Sequence, residues 1–300
     1  MFRKSLVVCS SLAFAISLAT AADNPPPAAQ LSAADIAARN VAARGGLEAW
    51  RAVQTLSMAG KLGAGGNQRA TLPMPVPGGR KAAQQAIPNA VPRTAEEVQL
   101  PFLMELARPR KMRFELQFNG QTAIQVFDGA NGWKLRPFLN RRVVEPYTTD
   151  EMKIASLQAD LDGPLVDYAA KGTQIELAGT EKVEDRDTYK LKLTMKTGAA
   201  LHVWIDARTF LEAKMEGQPR RLDGTDHPVE VYFRDYRPVS GLQIPFVLET
   251  RVLAVAKTKQ GFRDTPVPPE KTIIDKVVVN PKFDDTVFSK PQIGVSSSAN

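Results

Sequence analysis

Two histidines, two close pairs of aspartates, a run of basic residues and a single cysteine are the side chains in this sequence whose types and spacing invite a chemical reading. His202 and His227 lie 25 positions apart, and His202 alternates with Leu201 and Val203 beside Trp204, which puts it on the polar side of a strand. That pattern suits a surface residue better than a metal ligand. Asp160 with Asp162, and Asp284 with Asp285, have the proximity for shared protons or a calcium ion, but both pairs fall at helix-cap or turn positions, where aspartate already accepts backbone hydrogen bonds. Lys134, Arg136, Arg141 and Arg142 follow Trp133 and carry the charge to meet a phosphate head group or an acidic partner; a solvated strand end explains them equally. No His-Glu-x-x-His, phosphate loop, dinucleotide fingerprint or Gly-x-Ser-x-Gly elbow occurs. The expectation is no catalytic residue, no metal, no cofactor and no enzyme. Nucleic acid is not an expected partner either, since no stacking aromatics accompany the charges.

The ends set the expected compartment. Arg3 and Lys4 precede an apolar run from Leu6 to Leu18 and then Ala19-Thr20-Ala21, the order of a cleavable secretory signal over residues 1–21. The run is too short for a bilayer span, which needs about 20 residues. Cys9 lies inside this segment, after Val8, and reads as one of its apolar residues; a chain cleaved after Ala21 has no cysteine for a disulfide, a thiolate site or a nucleophile. Losing Arg3 and Lys4 also lowers the formal charge from +7 to +5, a modest basic excess that could favour an anionic lipid surface or an acidic partner, although evenly spread Lys and Arg fit a solvated basic surface better. The expected location is the periplasm of a Gram-negative envelope.

These side chains must be positioned by the elements around them. Residues 22–31, with Pro25-Pro26-Pro27, read as a flexible tether, and Ser32 with Asp35 as the cap of a helix from Ala33 to Arg44 that Gly45-Gly46 stops. A short helical turn carries Leu47, Trp50 and Val53, and a first strand spans Gln54 to Leu62. Gly63 to Arg93 is rich in Gly, Pro, Ala and Gln and reads as a mobile insertion. Met112, Phe114, Leu116 and Phe118 alternate with polar residues, Asn119-Gly120 is a tight-turn signal, and Ile124 and Val126 continue beyond it, so residues 111–127 predict a hairpin. Asp128 to Gly132 turns again into a strand through Trp133 and Leu135.

Between Thr148 and Lys171 the period changes, with Ile154, Leu157, Leu161, Leu165 and Tyr168 on one stripe. Two helices are expected, the first capped by Thr148 and Glu151, the second with Asp162 near its start, Pro164 in its first turn and Gly172 past its end. Strands then return at 175–183, 188–195, 200–206, 210–216, 229–235, 244–252 and 271–279, about ten in all, before a disordered tail over 291–300. Hairpin after hairpin gives an antiparallel sheet, and a long twisted sheet curls. The expectation is a mainly β chain with helices, folded as one domain over residues 32–290.

Four segments in order resemble the LolA/LolB-like superfamily of outer-membrane lipoprotein-sorting proteins: Phe127 to Trp133; Val203-Trp204-Ile205-Asp206 with Phe210-Leu211; Asp235-Tyr236-Arg237 through Gly241 to Ile244-Pro245-Phe246; and Asn280-Pro281 through Asp284-Asp285 to Phe288. Over residues 46–290 the resemblance implies a curved antiparallel sheet forming an incomplete barrel, with helices covering its concave face and an apolar concavity that takes acyl chains. It implies a broad, largely uncharacterised branch of the superfamily rather than the dedicated carrier.

Such a concavity needs a dry surface, which the alternating strands supply in Phe114, Leu116, Phe118, Ile124, Val126, Trp133, Leu191, Leu193, Leu201, Val203, Val231, Phe233, Phe246 and Leu248. The same residues would equally fill a closed core. The expected partner is an acylated lipoprotein or lipid, bound without catalysis under a gate formed by the 148–171 helical lid or the 63–93 insertion. The rival readings are an envelope sensor or scaffold that binds a membrane or envelope protein through the same fold, and a hydrolase whose site is assembled from scattered residues.

Overall fold

A computed structural model describes residues 31–65, 97–137, 141–222, 224–255, 267–284 and 286–292. Contacts divide the chain into Met1–Leu31, of which only Leu31 is described, and a unit beginning at Ser32. The expected signal segment, the tether before Leu31, residues 66–93 of the expected insertion and residues 293–300 of the tail lie outside the described residues.

Both helix starts follow their caps. Helix α1, Ala33–Ala43, opens with a reciprocal capping box between Ser32 and Asp35, and α3, Thr149–Gln158, opens with one between Thr148 and Glu151. Between them α2, Leu47–Ala52, buries Trp50. The break between α1 and α2 needs glycine: Gly45 sits at φ +117, and a Cβ there would collide with the Gly241 carbonyl.

The expected second helix of the 148–171 pair is absent; residues 161–172 form successive turns and bends instead. Asp167 takes φ +50, a left-handed conformation that interrupts a helix of L-residues. Asp162, expected to cap, gives its carboxylate to Arg108 and Lys171. Of the expected stripe, Leu161 and Leu165 are buried and Ile154, Leu157 and Tyr168 are partly exposed; Val166, outside it, is buried as well.

The strands are β1 (Thr55–Gly65), β2 (Glu97–Ala107), β3 (Lys111–Phe118), β4 (Gln121–Phe127), β5 (Gly132–Arg136), β6 (Arg141–Pro146), β7 (Gln174–Val183), β8 (Arg186–Thr194), β9 (Ala200–Asp206), β10 (Glu212–Leu222), β11 (Thr225–Val239), β12 (Leu242–Val252) and β13 (Glu270–Val279). They form one antiparallel sheet of 13 strands, ordered β6-β5-β4-β3-β2-β1-β13-β12-β11-β10-β9-β8-β7. The expected insertion starts too early at Gly63, because Gly63 to Gly65 extend β1 and pair with Gln99 to Glu97 of β2. β2 and β6 were not expected from sequence. Pro101 discourages a strand reading at β2, yet it faces Lys61 in an intact ladder.

The chain thus builds one wing outward from β1 to the edge strand β6, crosses to the opposite edge at β7, and returns inward until β13 pairs with β1. Laid flat, 13 strands would hold their edges roughly 58 Å apart. One helical layer nevertheless reaches both wings: Glu151 of α3 meets Lys134 of β5, while α1 packs on β7 and Arg44, just after it, meets Glu212 of β10. The sheet is therefore curled around the helices, open between β6 and β7.

Cross-strand register assigns the faces. Leu56 pairs with Leu106 and that with Met112, which pairs with Phe127; all four pack with Trp50, Ala155, Ala159, Leu161 and Val166 from the helical layer. On the other wing Leu177, Leu191 and Val203 are in register, as are Val203, Met215 and Val231 across β9 to β11. This is the helix-covered face. The opposite face carries alternating charges, a small cluster of Val183, Trp204, Ala213 and Tyr232, and the C-terminal residues Phe283, Val287 and Phe288 laid against Val126.

Candidate functional site

The covered face changes character along its strands. Near the helices it is sealed: Met112, Leu242 and Ile205 are 1% exposed or less. Toward the rim formed by the end of β1, the start of β2 and the β3–β4 turn, burial falls. Phe114, Leu116 and Phe118 on β3, Leu248 on β12, Leu201 on β9 and Leu62 on β1 are all partly exposed. Phe102 and Leu193 at the same level stay buried, and Phe102 stacks on Phe114 with ring centroids 5.9 Å apart. A sheet that closed over its own core would bury these residues as it buries Met112. Instead an apolar belt spanning both wings reaches the open rim, and its chemistry is that of a dry cradle for hydrocarbon.

Register places most of the expected lining on this face. Phe114, Leu116 and Phe118 share it with Leu191, Leu193, Leu201, Val203, Val231, Phe233, Phe246 and Leu248. Ile124, Val126 and Trp133 do not belong to it. Ile124 and Val126 pair with Glu115 and Arg113, Trp133 pairs with Val126, and all three pack with Phe283, Val287 and Phe288. The physical reason is the hairpin: with a two-residue turn at Asn119-Gly120, Phe118 faces Gln121, so the even positions of β3 share a face with the odd positions of β4. Covered-face residues that sequence reasoning missed include Met104 and Leu106, because β2 was not recognised, and Met58, Leu62 and Met215, which lie on strands that were.

The helical layer is anchored at the sealed end by a buried ionic cluster. Asp162, with a side chain 3% exposed, receives Arg108 at 2.6 Å and Lys171 at 2.5 Å. Lys171 also donates to both oxygens of Asp160 at 2.8 and 2.9 Å and to the Gly163 carbonyl. Arg44 donates to the Asp162 carbonyl at 2.9 Å, lies 3.4 Å from Glu212 and stacks on Trp50. Burial pushes the Asp160 carboxyl up, whereas for Asp162 burial is more than offset by hydrogen bonds from Lys171 and Arg108, which hold it low. The aspartate pair set aside as capping residues is thus the tie between the 159–172 segment, the helices and the β2–β3 turn.

Other polar candidates are consumed by similar pairings. Lys134 binds Glu151, and Arg136 binds Glu145 at 2.8 Å. Arg141 pairs with Arg136 across β5 and β6, Arg142 is exposed, and the side chain of Arg141 lies outside the described residues. Nδ1 of His202 lies 2.9 Å from the Glu216 carboxylate on the outer face, and His227 is fully buried with Nδ1 3.1 Å from the Leu253 carbonyl. Asp284 caps Thr286 locally, and Asp285 lies outside the described residues. No cluster of three metal-ligating side chains occurs among the described residues, and none of the described helices is long and apolar enough to cross a membrane.

On the outer face the β7–β8 turn is held down by Glu184, which accepts from Arg234 at 2.7 and 3.0 Å and from Arg251 at 3.0 Å. The Arg234 hydrogen bond leads in lowering its carboxyl from 4.5 to about 2. A carboxylate with a depressed folded value contributes stability above its unfolded value and loses it as pH falls through the folded one. The turn is therefore expected to loosen between pH 4.5 and about 2, exposing Trp204 beneath Val183. A tryptophan fluorescence titration checks this. Glu184→Gln should already show the acid-loosened emission at neutral pH, and an unchanged titration in that variant would refute the assignment.

No family model matches the chain, and no curated protein matches it. Among solved structures, a LolA superfamily protein from Nitrosomonas europaea superimposes with a TM-score of 0.51 at 11% identity, over 87% of this chain and 99% of that one. A lipoprotein-sorting protein domain from Vibrio parahaemolyticus scores 0.49 at 11% identity over 86% and 96%, and a DUF1329 family protein from Desulfovibrio piger 0.48 at 13% over 85% and 95%. With its open antiparallel sheet curled around a helical layer, the chain has the LolA-like fold.

Proposed function

We propose that this protein is a periplasmic, noncatalytic carrier that shelters the acyl chains of a lipid or lipoprotein against the covered face of its sheet. The observation that carries the reading is the apolar belt of Leu116, Phe118, Leu201 and Leu248, left partly exposed at the rim while the same face is sealed at its helical end. Hydrocarbon recognises such a surface by area alone, at about 0.8 kcal/mol per buried methylene. The signal-like start of the sequence supplies the compartment in this reading.

The test is mass spectrometry of native complexes and solvent extracts of mature protein purified from a periplasmic fraction without detergent. The expected result is a stoichiometric acylated species. Protein that carries no lipid but copurifies stoichiometrically with one envelope protein would replace the carrier with a sensor or scaffold, and release of free fatty acid from added acyl esters would replace it with a hydrolase.

A further inference from the structure

The covered face turns ionic where it reaches one open edge of the sheet. Phe114 stands opposite Gln125, Gln125 opposite Lys134, and Lys134 opposite Glu145. Residues directly opposite share a face, so Lys134 and, two positions along β5, Arg136 lie on the same side of the sheet as Phe114 and Leu116 of the belt. From β3 to β5 is about 10 Å, and β6 beyond is the edge strand beside the opening. Lys134 is buried, while Arg136 and Glu145 are partly exposed.

The pairings made there leave hydrogen-bond donors over. The Lys134 ammonium holds both oxygens of Glu151 at 2.5 Å, and Arg136 gives Nη2 to Glu145 at 2.8 Å. Nε of Arg136 is buried with no acceptor among the described residues. The hydroxyl of Tyr147 is buried without a partner among them as well, and its ring fills the space above Gly132, two positions before Lys134 on the same face. Arg141 stands opposite Arg136 in register, so three cationic residues meet two carboxylates. Folded proteins seldom leave buried donors idle, and these point to an acceptor. Guanidinium, ammonium and phenol together suit a group whose oxygens only accept, as those of a phosphate diester or monoester do. We infer that the β5–β6 end of the covered face is an anion site that takes the phosphate of an acyl lipid's head group while the belt holds its chains. The inference rests on the carrier reading and narrows the cargo to anionic lipids.

Calorimetry on the full mature chain compares dioctanoylphosphatidic acid with 1,2-dioctanoylglycerol, which has the same chains and no phosphate, and with inorganic phosphate, both lipids below their critical micelle concentrations. The phospholipid is expected to bind at least about tenfold more tightly than either of the others, and Arg136→Gln to remove its preference over the diacylglycerol while leaving diacylglycerol affinity within about twofold. Backbone amide shifts of residues 132–136 and 145–151 should move with the phospholipid and not with the diacylglycerol, which reads the site in the unsubstituted protein. Equal binding of the two lipids, a preference that survives in folded Arg136→Gln, or phospholipid shifts that leave these residues unmoved overturns the anion site while the carrier reading stands. Inorganic phosphate that binds as tightly as the phospholipid overturns the head-group assignment in favour of a free-anion site. If neither lipid binds, the carrier reading falls with it.

Discussion

Asp162→Ala is expected to lower the unfolding free energy by about 3 to 5 kcal/mol, the range seen when one partner of a buried ion pair is removed. Asp162 is 3% exposed at its side chain and takes one oxygen contact each from Arg108 and Lys171. Alanine leaves Lys171 with Asp160 and the Gly163 carbonyl, but leaves Arg108 only the carbonyls of Val53 and Trp50. For a chain of this size each kcal/mol shifts Tm by about 2–4 °C, so a fall of roughly 6–20 °C follows. Urea unfolding followed by circular dichroism checks the free energy, and a loss below about 1 kcal/mol would mean the cluster is solvated rather than structural. Asp162→Asn separates charge from shape: it keeps an acceptor for Arg108 and should lose less than alanine does.

This cluster also bears on where a carrier of this shape can open. The expected gates were the 148–171 helical lid and the 63–93 insertion, and the lid's distal part is the most heavily anchored segment of the helical layer. Lys171, Asp160 and Asp162 tie it to Arg108 and Arg44, and Arg51 adds an exposed pair with Asp167 at 2.7 Å. Pairs that share the Asp162 carboxylate and the Lys171 ammonium reinforce one another. The partly exposed belt lies at the other end of the same strands. Ligand entry at the rim leaves the ionic cluster intact; entry beneath the 159–172 segment would have to dismantle it.

Much of this architecture is legible in the residues, for reasons that can be located. Capping chemistry is local, so Ser32 with Asp35 and Thr148 with Glu151 give α1 and α3 their starts. The alternation of Met112 to Phe118 and the Asn119-Gly120 turn give the central hairpin, since period and turn type are set by neighbours a few positions apart. What escaped is non-local. Pro101 hides β2, whose ladder depends on β1 and β3 on either side. Amphipathic spacing made Leu161 and Leu165 look helical, but spacing alone does not distinguish a helix from a buried string of turns whose aspartates are engaged by Arg108 and Lys171. The lining was read with Ile124, Val126 and Trp133 because nothing near them in sequence announces that Phe283, Val287 and Phe288 cover the opposite face.

That division of faces yields the sharpest functional expectation. Leu116→Lys should weaken binding of a fluorescent, uncharged acyl ester by on the order of 100-fold, since an unpaired charge set in an apolar cradle costs a few kcal/mol and each 1.4 kcal/mol is tenfold in affinity. Leu116 is partly exposed beside the open rim, so the lysine ammonium can reach water in the free protein and the fold should survive with a small change in Tm. Val126→Ala supplies the opposite signature. Val126 is fully buried between the sheet and Phe288, and truncating it should cost about 1–3 kcal/mol of stability while leaving the affinity within about twofold. Fluorescence titration and thermal melts of both variants read the two effects independently. Loss of binding in Val126→Ala with no loss in Leu116→Lys would move the ligand to the outer face, under the C-terminal residues, and undo the assignment of the site.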